Sequence, residues 1–166
     1  MAQQSYKEGP FVIGVDAGTE SLRAGVFDLQ GNSLAFSSTA YQTTFPKPGW
    51  AEQNPQDWWE ALGKSVKNSI SEAGISSSAV AAICLDTTCC SVVALDENGD
   101  PLRPCLIWMD LRSAPQTEKV LATGDKALRV NSNGQGPVSA EWMIPKSLWI
   151  KENEPDLFEK LSLIHI

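Results

Sequence analysis

Three strand-like runs lie within residues 11–39, the first two closed by a carboxylate, and this pattern constrains the fold more than any other feature of the chain. Phe11-Val12-Ile13-Gly14-Val15 is rich in β-branched residues and stops at Asp16, and Leu22 to Phe27 stops at Asp28. Ser33 to Thr39 follows Leu29-Gln30-Gly31-Asn32, where Gly and Asn tolerate positive φ. Connections this short join neighbouring strands only as hairpins, so an antiparallel three-stranded meander is expected. Residues 42–54, with Pro46, Pro48 and Gly49, read as irregular. Asn54-Pro55-Gln56-Asp57 then has the form of a helix start, and Trp58, Leu62, Val66 and Ile70 recur at helical spacing. Gly74 stands where a left-handed cap is expected, which gives a helix of about five turns.

Val80 to Leu85 before Asp86, Ser91 to Leu95, and Cys105 to Trp108 read as further strands. Asp96-Glu97-Asn98-Gly99-Asp100 repeats the turn chemistry of Asp28 to Asn32. Helices are expected over Ser113 to Ala122 and from about Ser139 to Asn153, with a Gly-rich loop at 131–137 between them. Strands come first and then alternate with helices, the order of an α/β sheet with an antiparallel edge.

Several function classes drop out. The one histidine, His165, leaves no Ser-His-Asp, Cys-His or His-Glu-x-x-His constellation within these 166 residues. Cysteines at 84, 89, 90 and 105 have neither Cys-x-x-Cys nor zinc spacing. A net charge of −7, a pI near 4.7 and no basic run argue against a nucleic-acid partner. No long uncharged apolar run offers a membrane span. The first residues lack the apolar core of a secretory signal, so a reducing cytosol is the expected compartment.

The segment Asp16-Ala17-Gly18-Thr19-Glu20-Ser21-Leu22-Arg23 carries the first candidate chemistry. A carboxylate at a strand end, followed by a turn with Gly and hydroxyls, suits a hydrated divalent cation and phosphate oxygens. A side chain at Gly18 would obstruct a phosphate. A hairpin with polar turn residues is the competing reading, since Asp and Gly are common in turns. The segment is neither a Walker A loop nor a Gly-x-Gly-x-x-Gly fingerprint.

Gly14-Val15-Asp16-Ala17-Gly18-Thr19 with Ser21, Arg23, Phe27-Asp28 and Gly31 resembles the phosphate-1 segment of the FGGY carbohydrate kinases, within the actin-like (ribonuclease H-like) ATPase superfamily. Pro48-Gly49-Trp50-Ala51-Glu52-Gln53-Asn54-Pro55 with Trp58-Trp59 is similar to that family's GW-x-E-x-x-P-x-x-WW stretch, and Trp108-Met109-Asp110-Leu111-Arg112 to its W-x-D-x-R. Pro145-Lys146-Ser147-Leu148-Trp149-Ile150 with Glu154-Pro155 resembles its PK-x-LW helix. Four motifs stand in the family's order, which outweighs the bland hairpin reading.

The resemblance implies the N-terminal lobe of an actin-like fold, incomplete, over residues 11–160, after a tail at 1–10 and before a non-native end at 161–166. It implies ATP and Mg²⁺ as cofactors, with Asp16 at the metal and Gly18, Thr19, Ser21 and Arg23 facing the ATP phosphates. Glu20 departs from the Thr or Ser often found there. The catalytic Asp and the adenosine-binding domain belong downstream of the matched stretch, so the chain alone is expected to be inactive. A homodimer of the full-length protein is the implied assembly.

On the sugar side, glycerol kinases of the family carry Asn-Gln-Arg-Glu and xylulokinases Gly-Gln-Met-His where this chain reads Thr87-Thr88-Cys89-Cys90. Asp86 to Cys89 and Trp108 to Asp110 look more like the ribulokinase-like branch, which implies a ketopentose such as ribulose. Cys89, Cys90, Trp108, Asp110 and Glu141 are the candidate sugar contacts. Each has a plain structural alternative: buried small hydrophobes or a vicinal disulfide for the cysteines, core packing for Trp108, an ion pair with Arg112 for Asp110, and surface helix for Glu141. Trp50, Trp58 and Trp59 read as packing residues. Two further classes stay open at this point, a sugar- or nucleotide-binding module without turnover and a non-kinase actin-like ATPase.

Overall fold

Side-chain alternation builds the first sheet. The computed structural model describes residues 8–130 and 138–165, so the expected Gly-rich loop lies outside the described residues, as does the tail up to residue 7. The chain divides into two compact units, one of residues 1–42 and 56–88 and the other of residues 43–55 and 89–166.

In the first unit, β1 (Phe11–Ala17), β2 (Ser21–Asp28) and β3 (Ser33–Ala40) form the expected antiparallel meander. α1 (Pro55–Ala73) then crosses to β5 (Val80–Thr87), which lies parallel to β1, giving the mixed sheet order β3-β2-β1-β5. The helix ends at Gly74, whose φ of +64° is the left-handed cap expected there. Phe11, Ile13 and Val15 of β1 and Leu22, Ala24 and Val26 of β2 point to one face and are buried, as a period of two demands.

α1 covers that face, but not with the stripe its large apolar residues suggest. The fully buried positions are Ala61, Ser65, Ser69 and Ala73, while Leu62, Val66 and Ile70 pack along the flank, half-buried. Small residues let the helix backbone sit close to the sheet. The hydroxyls they bring inside are bonded: Ser65 Oγ lies 3.2 Å from the Leu22 carbonyl oxygen, to which it donates, and 2.8 Å from the Thr39 hydroxyl, and Ser69 donates to the Val66 carbonyl at 3.0 Å.

In the second unit, β4 (Glu52–Gln53) pairs with β7 (Cys105–Leu106) and β6 (Val93–Leu95) with β8 (Leu163–His165), both antiparallel. β4 falls within the stretch read as irregular, two residues being too short to show a period. α2 (Ala114–Ala122), α3 (Met143–Asn153) and α4 (Pro155–Phe158) complete it. Its core gathers Val92, Ala94, Leu106, Trp149 and Ile150, with Trp50 and Met143 against them.

The two Asp-Gly turns are built alike, one in each unit. Asp28 Oδ1 accepts from the N–H groups of Gln30 and Asn32, and Asp96 Oδ1 from those of Asn98 and Asp100. Hydrogen bonds from Asn32 hold the Asp28 carboxyl below its ordinary range, and bonds led by the Asp100 N–H do the same for Asp96. Among the described residues no helix is long and apolar enough to cross a membrane.

The small-residue stripe makes a testable demand. Ser65→Leu is expected to lower stability by about 1–3 kcal/mol through overpacking against the sheet. The same leucine at exposed Lys64 should change stability by less than about 0.5 kcal/mol. Urea unfolding of the two variants distinguishes them.

Candidate functional site

Each unit carries part of the candidate chemistry. In the first, the end of β1 presents Asp16, and a short turn, Gly18 to Glu20, leads into β2. The Gly18 N–H donates to the Ser21 carbonyl at 3.1 Å and closes the turn. Tyr41, just past β3, holds it from outside: its hydroxyl donates to the Gly18 carbonyl and its N–H to the Glu20 carbonyl at 3.1 Å. Burial and the Asp16 charge push the Tyr41 phenol up, so it stays a donor. Nothing in the sequence singled Tyr41 out beyond an aromatic residue at a strand end.

Asp16 and Arg23 face each other at 3.7 Å with more than half of each side chain exposed, a pairing too solvated to commit either one. Asp16 is also the register partner of Asp86 on β5, which puts two carboxylates on one face of the sheet at adjacent strand ends. The backbone at Gly18 avoids positive φ, and an added Cβ would meet only Ser21 O at 3.4 Å and Asp16 Oδ1 at 3.9 Å. The chain's own packing therefore does not demand glycine there. Beside the turn, a hollow of about 340 Å³ is lined by Gly14, Val15, Asp16, Arg23, Gly25, Phe27 and Phe36.

These residues fit a phosphate chain with a hydrated divalent cation. Mg²⁺ is usually held by one or two carboxylates with phosphate oxygens and water, rather than by an all-protein cage. Among the described residues no cluster of three or more His, Cys, Asp or Glu side chains could hold a metal by itself.

In the second unit, three of the motif stretches meet in one buried cluster. Gly49, at φ +77°, turns the chain so that Trp50 enters the core, and its carbonyl accepts from the Leu111 N–H at 2.8 Å. The Arg112 guanidinium lies 3.8 Å from the Trp50 ring and 5.0 Å from that of Trp149, and these two indoles meet edge to face at 5.4 Å. Its Nε and Nη2 donate to both oxygens of Asp110 at 2.8–3.0 Å, and Nη2 reaches Glu52 at 2.8 Å. The Ala51 N–H donates to Asp110 Oδ2 at 2.6 Å. Arg103 joins Glu52 at 2.6 Å and Glu154 at 3.2 Å. Sequence reasoning missed Arg103, which lies in none of the motifs.

Trp108-Met109-Asp110-Leu111-Arg112 therefore splits by position. Asp110 and Arg112 point inward and are fully buried side chain to side chain, the ion-pair alternative, whereas Trp108 lies at the surface, 36% exposed. Cys89 is exposed and Cys90 half-buried, their thiols free and 3.8 Å apart. Glu141 is half-buried in the turn before α3, its N–H bonded to Ser139 Oγ at 3.2 Å, and its charge is felt by Cys90.

Lys146 ties this group together. It is fully buried, and its Nζ donates at 2.8 Å to the carbonyls of both Cys90 and Ile107, the residue before Trp108. Burial pulls its pKa down, against the attraction of Asp110. A lysine one turn from Trp149 and Ile150 on the apolar side of α3 is the signal that would have found it.

Comparison with known proteins adds the following. The pattern of the FGGY family of carbohydrate kinases, N-terminal domain, matches residues 11–166. The chain is 32% identical over 163 residues to a xylulose kinase of Streptomyces coelicolor, covering 98% of this chain and 33% of that one. It is 31% identical over 156 residues to a xylulose kinase of Lactococcus lactis, covering 93% and 30%. The crystal structure of xylulose kinase from Rhodospirillum rubrum superimposes with a TM-score of 0.84 at 28% identity, covering 93% of this chain and 31% of that one. The chain thus spans about a third of the length of the curated relatives it matches.

Two outcomes check this geometry. Arg112→Met should cost about 3–5 kcal/mol by leaving Asp110 buried without its counter-charge, and adding Asp110→Asn should recover part of that loss in urea unfolding. Burial pushes the Cys105 thiol from 9.0 up to about 12. The unfolded chain therefore releases this proton first, and stability present below pH 9 is lost as pH rises toward 12. Cys105→Ala should flatten that decline.

Proposed function

Because the chain belongs to the FGGY family of carbohydrate kinases through their N-terminal domain, we propose that it carries the phosphate loop and part of the sugar recognition for ATP-dependent phosphorylation of a ketopentose hydroxyl. The observation that carries the reading is the end of β1: an exposed carboxylate beside a turn that Tyr41 braces and whose glycine leaves room for a ligand. Asp16 would hold Mg²⁺, which when bound offsets charge on the transferring phosphoryl group. The Thr19 and Ser21 hydroxyls and the Arg23 guanidinium would receive phosphate oxygens. Gly18 contributes space, its own N–H being spent on Ser21. The carboxylate that takes the sugar's proton is assigned to sequence beyond the matched stretch.

For the sugar, Trp108 offers an aromatic face to the carbon chain, with Cys89, Cys90 and Glu141 as the polar and soft contacts. Asp110, bonded on both oxygens to Arg112 and on one to Ala51, acts by fixing the chain that carries Trp108. The run Asp86-Thr87-Thr88-Cys89 favours ribulose. The names of the relatives favour xylulose.

The test is a coupled ADP-release assay on a polypeptide of the relatives' length that carries these 166 residues, offered ribulose, xylulose, ribitol, arabinitol and glycerol. Turnover of a ketopentose is expected, with Asp16→Ala lowering it about a hundredfold or more at unchanged stability. Activity on glycerol alone, or near-normal turnover by the variant, defeats the reading.

A further inference from the structure

Cys89 and Cys90 are adjacent, yet their sulfurs lie 3.8 Å apart on one side of the chain. In extended backbone, neighbouring side chains point to opposite faces. Here Cys90 has φ +64°, the one non-glycine residue with positive φ among the described residues, and that reversal brings the thiols together. A strained backbone of this kind persists only where its surroundings impose it. Lys146 imposes it, gripping the Cys90 carbonyl at 2.8 Å from a fully buried position anchored on Ile107.

From the paired sulfurs, the left-handed residue and the buried clamp, we infer that Cys89–Cys90 is a reversible modification site, which low-molecular-weight disulfides such as glutathione disulfide convert to a vicinal disulfide. Cys89, exposed and accepting a hydrogen bond from the Cys90 thiol, is the attacking sulfur. As thiolate it attacks one sulfur of glutathione disulfide, forming a mixed disulfide and releasing one glutathione. Cys90 then attacks the Cys89 sulfur, its proton passing to the second departing glutathione. Two protein thiols are oxidised, and one disulfide is reduced to two thiols. Burial pushes the Cys90 thiol up, which leaves the first attack to Cys89. Adjacent Cα atoms across a trans peptide are about 3.8 Å apart, closer than the roughly 4.4–6.8 Å of ordinary disulfides, so the product is readily reduced again. The inference concerns two residues that the proposed function sets against the sugar, but it rests on their thiol geometry alone.

The chain itself serves as the test. It is incubated under argon with glutathione disulfide, quenched in acid, alkylated after unfolding and mapped by fragment-ion mass spectrometry. Expected are the loss of two free thiols per chain and of two hydrogens at residues 89–90, unchanged in Cys84→Ser and reversed by reduced glutathione. Cys90→Ser should stop at a glutathione adduct on Cys89. A stable adduct on Cys89 with Cys90 still free in the wild-type chain, pairing of either with Cys84, or chain-to-chain disulfides would each overturn the inference.

Discussion

A guanidinium buried against two indoles organises the second unit. Removing Arg112 from water is costly, and the structure offsets that cost with a two-pronged bond to Asp110, a contact with Glu52 and the faces of Trp50 and Trp149. Each partner comes from a different part of the chain: the Gly49 turn and β4, the stretch after β7, and α3. The motifs that looked like sugar chemistry are in large part the means by which these segments hold one another. What they leave outside is smaller: Trp108 at the surface and the two cysteines beside the Lys146 clamp.

The two units solve the same problem of presenting a loop with different groups. Tyr41 braces the Gly18 turn by accepting no charge at all, only by donating its hydroxyl and its N–H to backbone carbonyls. Lys146 holds Cys90 and Ile107 with an ammonium deep enough that burial depresses its pKa. In both cases the residue that touches a ligand in the proposed function is positioned by one that does not.

Much of the first unit could be read in the sequence because local rules agree there. Period-two burial, Asp-Gly turns and a glycine cap each specify the same meander and helix. On α1 the large apolar residues Leu62, Val66 and Ile70 mark the helix and pack against the core, but the closest approach is made by Ala61, Ser65, Ser69 and Ala73, which hydropathy does not single out. In the second unit the elements are short, and β4 has two residues, so periodicity has nothing to act on. There the spacing of motif residues named Asp110 and Arg112 correctly as a pair to consider, but only burial shows that they face each other. Arg103 and Tyr41 act through long-range contacts that no local pattern encodes, whereas Lys146 stands on the apolar side of α3, where a lysine is conspicuous.

The central claim is a division of labour: phosphates at the end of β1, sugar at the outward Trp108, and a buried Asp110–Arg112 pair that supports without touching ligand. A crystal structure of a relative-length polypeptide with Mg²⁺, a non-hydrolysable ATP analogue and ribulose tests it directly. The account predicts phosphate oxygens on Thr19, Ser21 and Arg23, the cation beside Asp16, and the sugar against the Trp108 ring with Asp110 still bonded to Arg112. Phosphates bound away from the Gly18 turn, or a sugar hydroxyl bonded to Asp110 in place of Arg112, would contradict it.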